Sequence, residues 1–255
     1  MRVNSVRHTL EGGGISIGTM VSEFATTGTA RLAASAGAEF VLFDMEHSGY
    51  SMGHMRSTLA AARAADVVPM LRVPDGDYDF VARALDIGAL GVMVPTVSSV
   101  EEAQRIADSS RYPPVGRRGF GLWSDDWHPD GVEATIGHVN NQVMTLVQIE
   151  TAGGLEAVDG IAAIDGVDVL WIGHFDLSIS LGVPGAFSSQ TFVGAVERIL
   201  EAGARFGKPV GMVCGSAEEG KALLARGFRM LAYSIDFMLY EQALSAGIAG
   251  LRDGA

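Results

Sequence analysis

Short apolar runs alternate with alanine-rich amphipathic stretches along the whole chain. Most of the runs lack a strict alternation of polar and apolar residues, which is typical of parallel strands that are buried on both faces. We expect strands at residues 15–20, 40–45, 67–73, 90–95, 143–150, 169–173, 209–214 and 229–233. The pattern therefore predicts eight strands, each separated from the next by a segment that does not have strand character.

The segments between these runs carry helix signals. Ser99 and Ser216 each precede an amphipathic stretch with two glutamates in its first turn, which is typical of a helix N-terminus. Gly37 and Gly88 follow helical stretches and directly precede strands, as C-cap glycines do. We expect helices at residues 29–36, 52–65, 99–109 and 216–226.

The repeated alternation of strand and helix predicts one (β/α)8 TIM barrel that occupies residues 1–255 as a single domain. A doubly wound sheet is the alternative fold, but it usually has fewer strands. Its phosphate-binding fingerprint is also missing, because the glycines at 12–14 precede a strand instead of opening a helix. The long segment 111–141 is rich in proline, glycine and aromatic residues, and we expect it to form part of a site.

Charge and composition narrow the class of protein. The 18 Lys and Arg residues against 30 Asp and Glu give a net charge of −12, which disfavours partners such as nucleic acid or an anionic membrane. The one cysteine, Cys214, excludes an internal disulfide and fits a buried thiol in a reducing compartment. No apolar run is long enough to span a membrane and no secretory signal is evident, so we expect a cytoplasmic protein.

Polar residues end several of the predicted strands, and in a barrel the chemistry lies at those carboxyl-terminal ends. His47 follows the second strand and suits either general-base catalysis or a structural role. Arg72 ends the third strand, where a guanidinium needs an anion, either a structural carboxylate or a substrate oxyanion. Glu150 and Asp176 follow the fifth and sixth strands. They could share a divalent cation, or each could cap a helix or pair with an arginine.

The chain lacks a suitably placed lysine and a zinc-binding histidine motif, which disfavours two classes of reaction. The chain has two lysines, and neither Lys208, just before a strand, nor Lys221, within a helix, is placed to form a Schiff base at the active rim. The six histidines show no HxH or HExxH spacing, which disfavours a histidine-rich zinc site.

Seven segments in register resemble the HpcH/HpaI aldolase family, the metal-dependent pyruvate aldolases. The resemblance extends from about residue 14 to the C-terminal region. Its segments are FDMEH at 43–47, LRVP at 71–74, LDIGA at 85–89, VP at 94–95, RYPP at 111–114 with RG at 118–119, VQIET at 147–151 and IGHFDLS at 172–178.

The resemblance implies both an assembly and a set of site residues. Members form dimers that exchange the last helix, here residues 237–251, and these dimers often stack into hexamers. It makes His47 the base, Asp86 the carboxylate that raises the basicity of His47, and Arg72 the group that stabilises the enolate. The remaining implied roles are metal ligation by Glu150 and Asp176, and binding of the pyruvate moiety by Gln148 and the Phe175 backbone, with Asp176 and Arg72 also touching the substrate.

The resemblance implies a class II aldolase that uses Mg²⁺, Mn²⁺ or Co²⁺. Such an enzyme reversibly cleaves a 4-hydroxy-2-oxo acid into pyruvate, or an analogue such as hydroxypyruvate, and an aldehyde through a metal-stabilised enolate. One alternative is a citrate-lyase-like enzyme acting on a CoA thioester, which the His47 motif and the lack of an evident basic patch for the CoA phosphates disfavour. The other is a non-catalytic barrel, in which we would expect some of the site residues to be replaced, whereas all seven are present. Two departures from the family, His174 in place of a common proline and the stretch 122–130, leave the aldehyde open because both are expected near its pocket.

Overall fold

The computed structural model describes residues 2–121 and 127–252. Eight parallel strands close into a barrel in sequence order, which confirms the predicted (β/α)8 architecture. Each strand agrees with its predicted run to within two residues at either end. The strands are β1 Ser16–Val21, β2 Phe40–Asp44, β3 Val68–Arg72, β4 Gly91–Val94, β5 Met144–Ile149, β6 Val169–Ile172, β7 Val210–Cys214 and β8 Met230–Ile235.

Helices connect the strands and pack around the barrel. The Ser99 and Ser216 hydroxyls accept N-capping hydrogen bonds from the backbone three residues later, which confirms the two predicted helix starts. Gly37 and Gly88 adopt positive φ of 90° and 110° at the predicted helix ends. The helices of the described chain are α1 Ser5–Glu11, α2 Thr29–Ser35, α3 Met52–Ala62, α4 Tyr78–Asp86, α5 Val100–Ser110, α6 Val132–Gln142, α7 Ala152–Glu156, α8 Val158–Ala162, α9 His174–Ser180, α10 Gln190–Phe206, α11 Ala217–Ala225 and α12 Asp236–Arg252.

Two apolar layers hold the fold together. Side chains such as Phe40 and Leu42 fill the barrel interior, whereas Val41 and Phe43 pack outward against the helices. Because both faces of each strand are buried, the strands appear in the sequence as nearly continuous apolar runs. The parallel register between β2 and β3 places Asp44 directly beside Arg72.

The C-terminal helix α12 begins on the barrel and has no buried residue in the single chain. The Asp236 carboxylate accepts backbone hydrogen bonds from Ser22, Glu23 and Phe24, which ties the start of α12 to the end of β1. Large apolar side chains of α12 are exposed: Phe237, Met238, Tyr240, Leu244, Ile248 and Leu251. The exchange of this helix between subunits stays a prediction. Among the described helices, none combines the length and apolar character that a membrane crossing requires.

Candidate active site

A cavity of roughly 410 Å³ opens at the carboxyl-terminal ends of the strands. One half of it is lined by His47, which follows β2, by Arg72 at the end of β3 and by Gln148 on β5. Residues on the last part of β6, β7 and β8 and in the segments after them line the other half, which is more apolar. The structure therefore brings most of the site residues predicted from the sequence to one rim of the barrel.

Arg72 is held by two carboxylates that follow β2. Its Nε and Nη2 donate to the two carboxylate oxygens of Asp44 at 2.9 and 2.8 Å, and both residues are buried. Its Nη1 lies 3.0 Å from Oε2 of Glu46, an ion pair that lacks the geometry of a hydrogen bond. The guanidinium is thus fixed in a bidentate pair, and its Nη1 edge stays directed toward Glu46 and the cavity.

Burial disfavours the ionised form of Asp44, but the hydrogen bonds and charge of Arg72 outweigh burial and hold the pKa of Asp44 below its usual value. In the same way, burial lowers the pKa of Arg72, and the Asp44 carboxylate more than compensates. Both groups therefore stay charged near neutral pH. The sequence showed both residues at strand ends, but only the register of β2 against β3 reveals that they form a pair.

His47 lies just beyond β2, and its side chain is 64% exposed. Its Nε2 is 3.4 Å from Oε1 of Glu46. Burial raises the pKa of Glu46, and the charges of Arg72 and His47 oppose that rise. An exposed imidazole beside a carboxylate can exchange protons with a molecule bound in the cavity.

Asp86 has a different partner within the single chain, so its predicted pairing with His47 stays a prediction. Asp86 is the last residue of α4, and a helix that follows a barrel strand runs back toward the amino-terminal rim. Its carboxylate instead accepts hydrogen bonds from Nε and Nη2 of Arg118 at 3.2 and 2.6 Å. The barrel strands, about 16 Å long for five residues, separate the two rims.

Glu150 is a buried carboxylate at the end of β5. Its Oε1 accepts a hydrogen bond of 2.7 Å from the backbone N–H of Thr96, and its Oε2 accepts one from Nε2 of Gln148. Burial raises the pKa of Glu150 to about 7. The Thr96 and Gln148 hydrogen bonds oppose this rise, and the nearby Glu46 and Asp176 carboxylates add to it.

Gly173, at the end of β6, makes room for this carboxylate. A Cβ atom at that position would lie 2.0 Å from Oε2 of Glu150 and 2.7 Å from Nε2 of Gln148. Its backbone angles, φ −84° and ψ 82°, are open to other residues, so the requirement for glycine comes from the close approach alone. Phe175 and Asp176 follow in the first turn of α9 and line the same cavity.

These oxygen groups fit a hard divalent cation. Glu150 and Asp176 supply two carboxylates, and Oε1 of Gln148 is buried with no hydrogen-bond partner in the described part of the chain. A cluster of three or more His, Cys, Asp or Glu residues suited to a metal is absent from residues 2–121 and 127–252. Mg²⁺ commonly takes one or two carboxylates and completes its shell with water and substrate oxygens.

The half of the cavity beyond β6 also holds residues with no predicted catalytic or metal-binding role, such as His174 and Phe187. His174 packs its ring against Phe175 and Phe187, with centroid distances of 4.5 and 5.3 Å. Burial lowers the pKa of His174, and the Glu219 and Asp176 carboxylates oppose that shift. Of the divergent stretch 122–130, residues 122–126 lie outside the described residues. The described remainder does not line the cavity of the single chain.

Comparisons with known proteins agree with this geometry. The model of the HpcH/HpaI aldolase/citrate lyase family matches residues 22–243. The 2-keto-3-deoxy-L-rhamnonate aldolase of Escherichia coli strain K12 is 31% identical over 258 residues, which cover 98% of this chain and 94% of the relative. The crystal structure of an HpcH/HpaI aldolase from Desulfitobacterium hafniense DCB-2 matches with a TM-score of 0.91 and 29% identity, covering 97% of this chain and 96% of that one. A family protein from Burkholderia cenocepacia J2315 matches with a TM-score of 0.90 and 30% identity, covering 98% and 100%.

Proposed function

The chain belongs to the HpcH/HpaI aldolase/citrate lyase family and is a class II aldolase, and from this premise we propose the residues that carry its reaction. The reaction is the reversible cleavage of a 4-hydroxy-2-oxo acid into pyruvate or hydroxypyruvate and an aldehyde. One observation above all supports this proposal. Gln148 lines the same cavity as Arg72 and His47, its Oε1 has no hydrogen-bond partner among the described residues, and its Nε2 donates to the buried carboxylate of Glu150.

Glu150 and Asp176 would hold the divalent ion, Mg²⁺, Mn²⁺ or Co²⁺, with the Gln148 amide beside them. When bound, such an ion supplies Lewis-acid polarisation of the 2-oxo group and stabilises the charge that develops on its oxygen. Glu150 must be ionised to act as a ligand, and a nearby cation favours that form. The Gln148 and Thr96 hydrogen bonds keep the Glu150 carboxylate in one orientation.

Arg72 is placed to bind the oxyanion of the substrate. Its Nε and Nη2 are occupied by Asp44, which fixes the plane of the guanidinium. Its Nη1 makes no well-formed hydrogen bond to Glu46, so it can donate to a substrate oxygen in the cavity. A donor that is fixed before the reaction begins stabilises developing charge at little reorganisation cost.

His47 takes the proton from the 4-hydroxyl group, directly or through water, when the carbon–carbon bond breaks. In the addition direction it returns that proton to the new alkoxide. Within one chain the carboxylate beside His47 is Glu46, and we assign Glu46 the role of stabilising the protonated imidazole. The backbone of Phe175 and the Gln148 side chain would bind the carboxylate end of the pyruvate moiety.

The charge of the cavity lining disfavours the citrate-lyase-like alternative, and the surface of α12 supports an oligomer. Arg72 is the one cation among the described residues that line the cavity, and it is already paired, which disfavours a CoA thioester with its phosphates. The exposed apolar side chains of α12 support a homo-oligomer built from dimers that exchange this helix, with hexamers as the larger assembly. A cytoplasmic location stays an expectation from the sequence.

A substrate panel tests the proposal. Purified enzyme with Mn²⁺ is given several 4-hydroxy-2-oxo acids, and the pyruvate released is measured with a coupled dehydrogenase. The name of the curated relatives makes a 2-keto-3-deoxy sugar acid the first compound to test. We expect release of pyruvate from at least one of them and no carbon–carbon cleavage of an acyl-CoA substrate. Carbon–carbon cleavage of the acyl-CoA substrate with no reaction of the oxo acids would contradict the proposal.

A further inference from the structure

Apart from Phe175 and Asp176, the residues that line the cavity at and beyond the ends of β6, β7 and β8 take no part in the chemistry assigned above. Its surface is largely apolar, with Phe187, Val213 and Met238 contributing side chains. Three polar groups interrupt this surface: His174, Glu219 and Ser234. Polar groups on an otherwise apolar wall fix the orientation and identity of a ligand, so these three are candidates for recognition of the aldehyde half of the substrate.

The ring of His174 is fixed in place but forms no hydrogen bond within the described residues. Phe175 packs against it at 4.5 Å with an interplanar angle of 40°, and Phe187 packs edge-on at 5.3 Å and 62°. An imidazole has at least one N–H donor in either protonation state. The ring can therefore donate a hydrogen bond into the cavity without losing an existing one.

Ser234 is 96% buried yet also lines the cavity. Its φ of 57° lies in the left-handed region, which a serine seldom adopts. Within the residues that the structure covers, its hydroxyl makes no hydrogen bond. Residues held in such a conformation cluster at ligand sites, where the surrounding structure determines them. The unused hydroxyl in this conformation is a second, independent feature that points to a polar ligand.

Glu219 sets the charge of this half. Its Oε2 accepts a 2.7 Å hydrogen bond from the backbone N–H of Gly215, which holds the carboxylate at the start of α11. The one cation among the described lining residues, Arg72, is bound by Asp44 and Glu46. A carboxylate on the aldehyde half, placed beside His174 and Ser234, would therefore meet the like charge of Glu219.

We propose that His174, Ser234 and Glu219 form a hydroxyl-binding wall, which selects uncharged hydroxyaldehydes over aldehydes that lack a hydroxyl group or carry a carboxylate. A substrate hydroxyl can donate to Glu219 and accept from His174, which matches the groups on the wall. The inference rests on the proposed function and deepens it by assigning the class of the aldehyde and the residues that recognise it.

The test compares two aldehydes that differ by one hydroxyl group. Addition of pyruvate to 2-hydroxypropanal and to propanal is measured with Mn²⁺ present, and the ratio of the two kcat/KM values is taken. Because the ratio is measured on one enzyme sample, partial unfolding of a variant cancels. The variants are His174→Phe, which keeps a ring against Phe175, and Ser234→Ala, which keeps the Cβ. His8→Phe on the exposed face of α1 is the matched control.

We expect the wild-type ratio to be about 10 or more, and each cavity variant to lower it about fivefold or more, as the loss of one hydrogen bond to substrate would. His8→Phe should leave the ratio unchanged. Succinic semialdehyde should react at least about tenfold more slowly than 2-hydroxypropanal, and Glu219→Gln should narrow that gap. A wild-type ratio near 1, or a ratio that both variants leave unchanged, would overturn the inference.

Exchange of the pyruvate methyl hydrogens in D₂O, followed by NMR, separates this result from a failure of the proposed function because it needs no aldehyde. Exchange by the wild type together with a ratio near 1 would overturn the hydroxyl-binding wall and leave the aldolase assignment standing. Absence of both exchange and aldol addition would contradict the proposed function, and the inference with it.

Discussion

Replacing Gly173 with alanine should disrupt the Glu150 carboxylate without altering any charged residue. A Cβ at this position would lie 2.0 Å from Oε2 of Glu150 and 2.7 Å from Nε2 of Gln148. The first distance is more than about 1 Å shorter than an ordinary van der Waals separation. Alanine tolerates the backbone angles of Gly173, so the effect should come from displacement of the carboxylate and not from backbone strain.

The expected loss of activity depends on how far the Glu150 carboxylate is displaced. A shift of about 1 Å in a catalytic group can cost about 10²-fold in rate, and we expect kcat to fall by at least that much in Gly173→Ala. Overpacking of this buried site should also reduce the free energy of unfolding by about 1–3 kcal/mol. The affinity for Mn²⁺ should fall in parallel with kcat, because the same carboxylate is the proposed ligand.

The assay is steady-state cleavage at saturating Mn²⁺, together with Mn²⁺ titration and thermal unfolding. Gly194→Ala is the matched control, because its added Cβ meets nothing within 4 Å on the exposed face of α10. That variant should gain about 0.5–1 kcal/mol from helix propensity and keep its activity. A Gly173→Ala enzyme with normal kcat and normal Mn²⁺ affinity would refute the assignment of Glu150 as a ligand.

Three further predictions follow from the same geometry. Arg72→Lys keeps the charge but loses the planar donor set, and turnover should fall about 10²-fold or more in steady-state cleavage; near-normal turnover would make Arg72 structural. His47→Ala should lower kcat about 10²- to 10⁴-fold while Mn²⁺ affinity is retained, and loss of metal binding would contradict its role as a base. Without metal, the raised pKa of Glu150 means that the folded state holds its proton up to about pH 7, whereas the unfolded state releases it near its usual 4.5. The Tm of metal-free enzyme should therefore fall as pH rises from about 5 to about 7, and the same slope in Glu150→Gln would show that another group is responsible.

The strands could be predicted closely from the sequence, whereas several relations within the site could not. Parallel strands buried on both faces leave continuous apolar runs, so β2 and β3 were located to within one residue or two. The Asp44–Arg72 pair depends on the register between those strands, which a sequence does not contain. The positive φ of Ser234 likewise gives no sequence signal, because glycine or asparagine would be expected there.

The predicted role of Asp86 has a different basis. Its segment matches the family pattern, and its role rests on that resemblance alone. Its place at the end of α4 already indicated the amino-terminal rim, because a helix that follows a strand in a barrel returns to the start of the next strand. Within the single chain Asp86 pairs with Arg118, and its pairing with His47 stays a prediction.

The central claim is that the carboxylates of Glu150 and Asp176 hold the ion on which cleavage depends. The most direct test titrates EDTA-treated enzyme with Mn²⁺ and follows bound metal and cleavage rate in the same samples. We expect no cleavage before metal is added, a rate that rises in proportion to bound Mn²⁺ up to one ion per chain, and loss of both in Glu150→Gln. Full cleavage in EDTA, or inactivation by borohydride in the presence of substrate, would contradict the account.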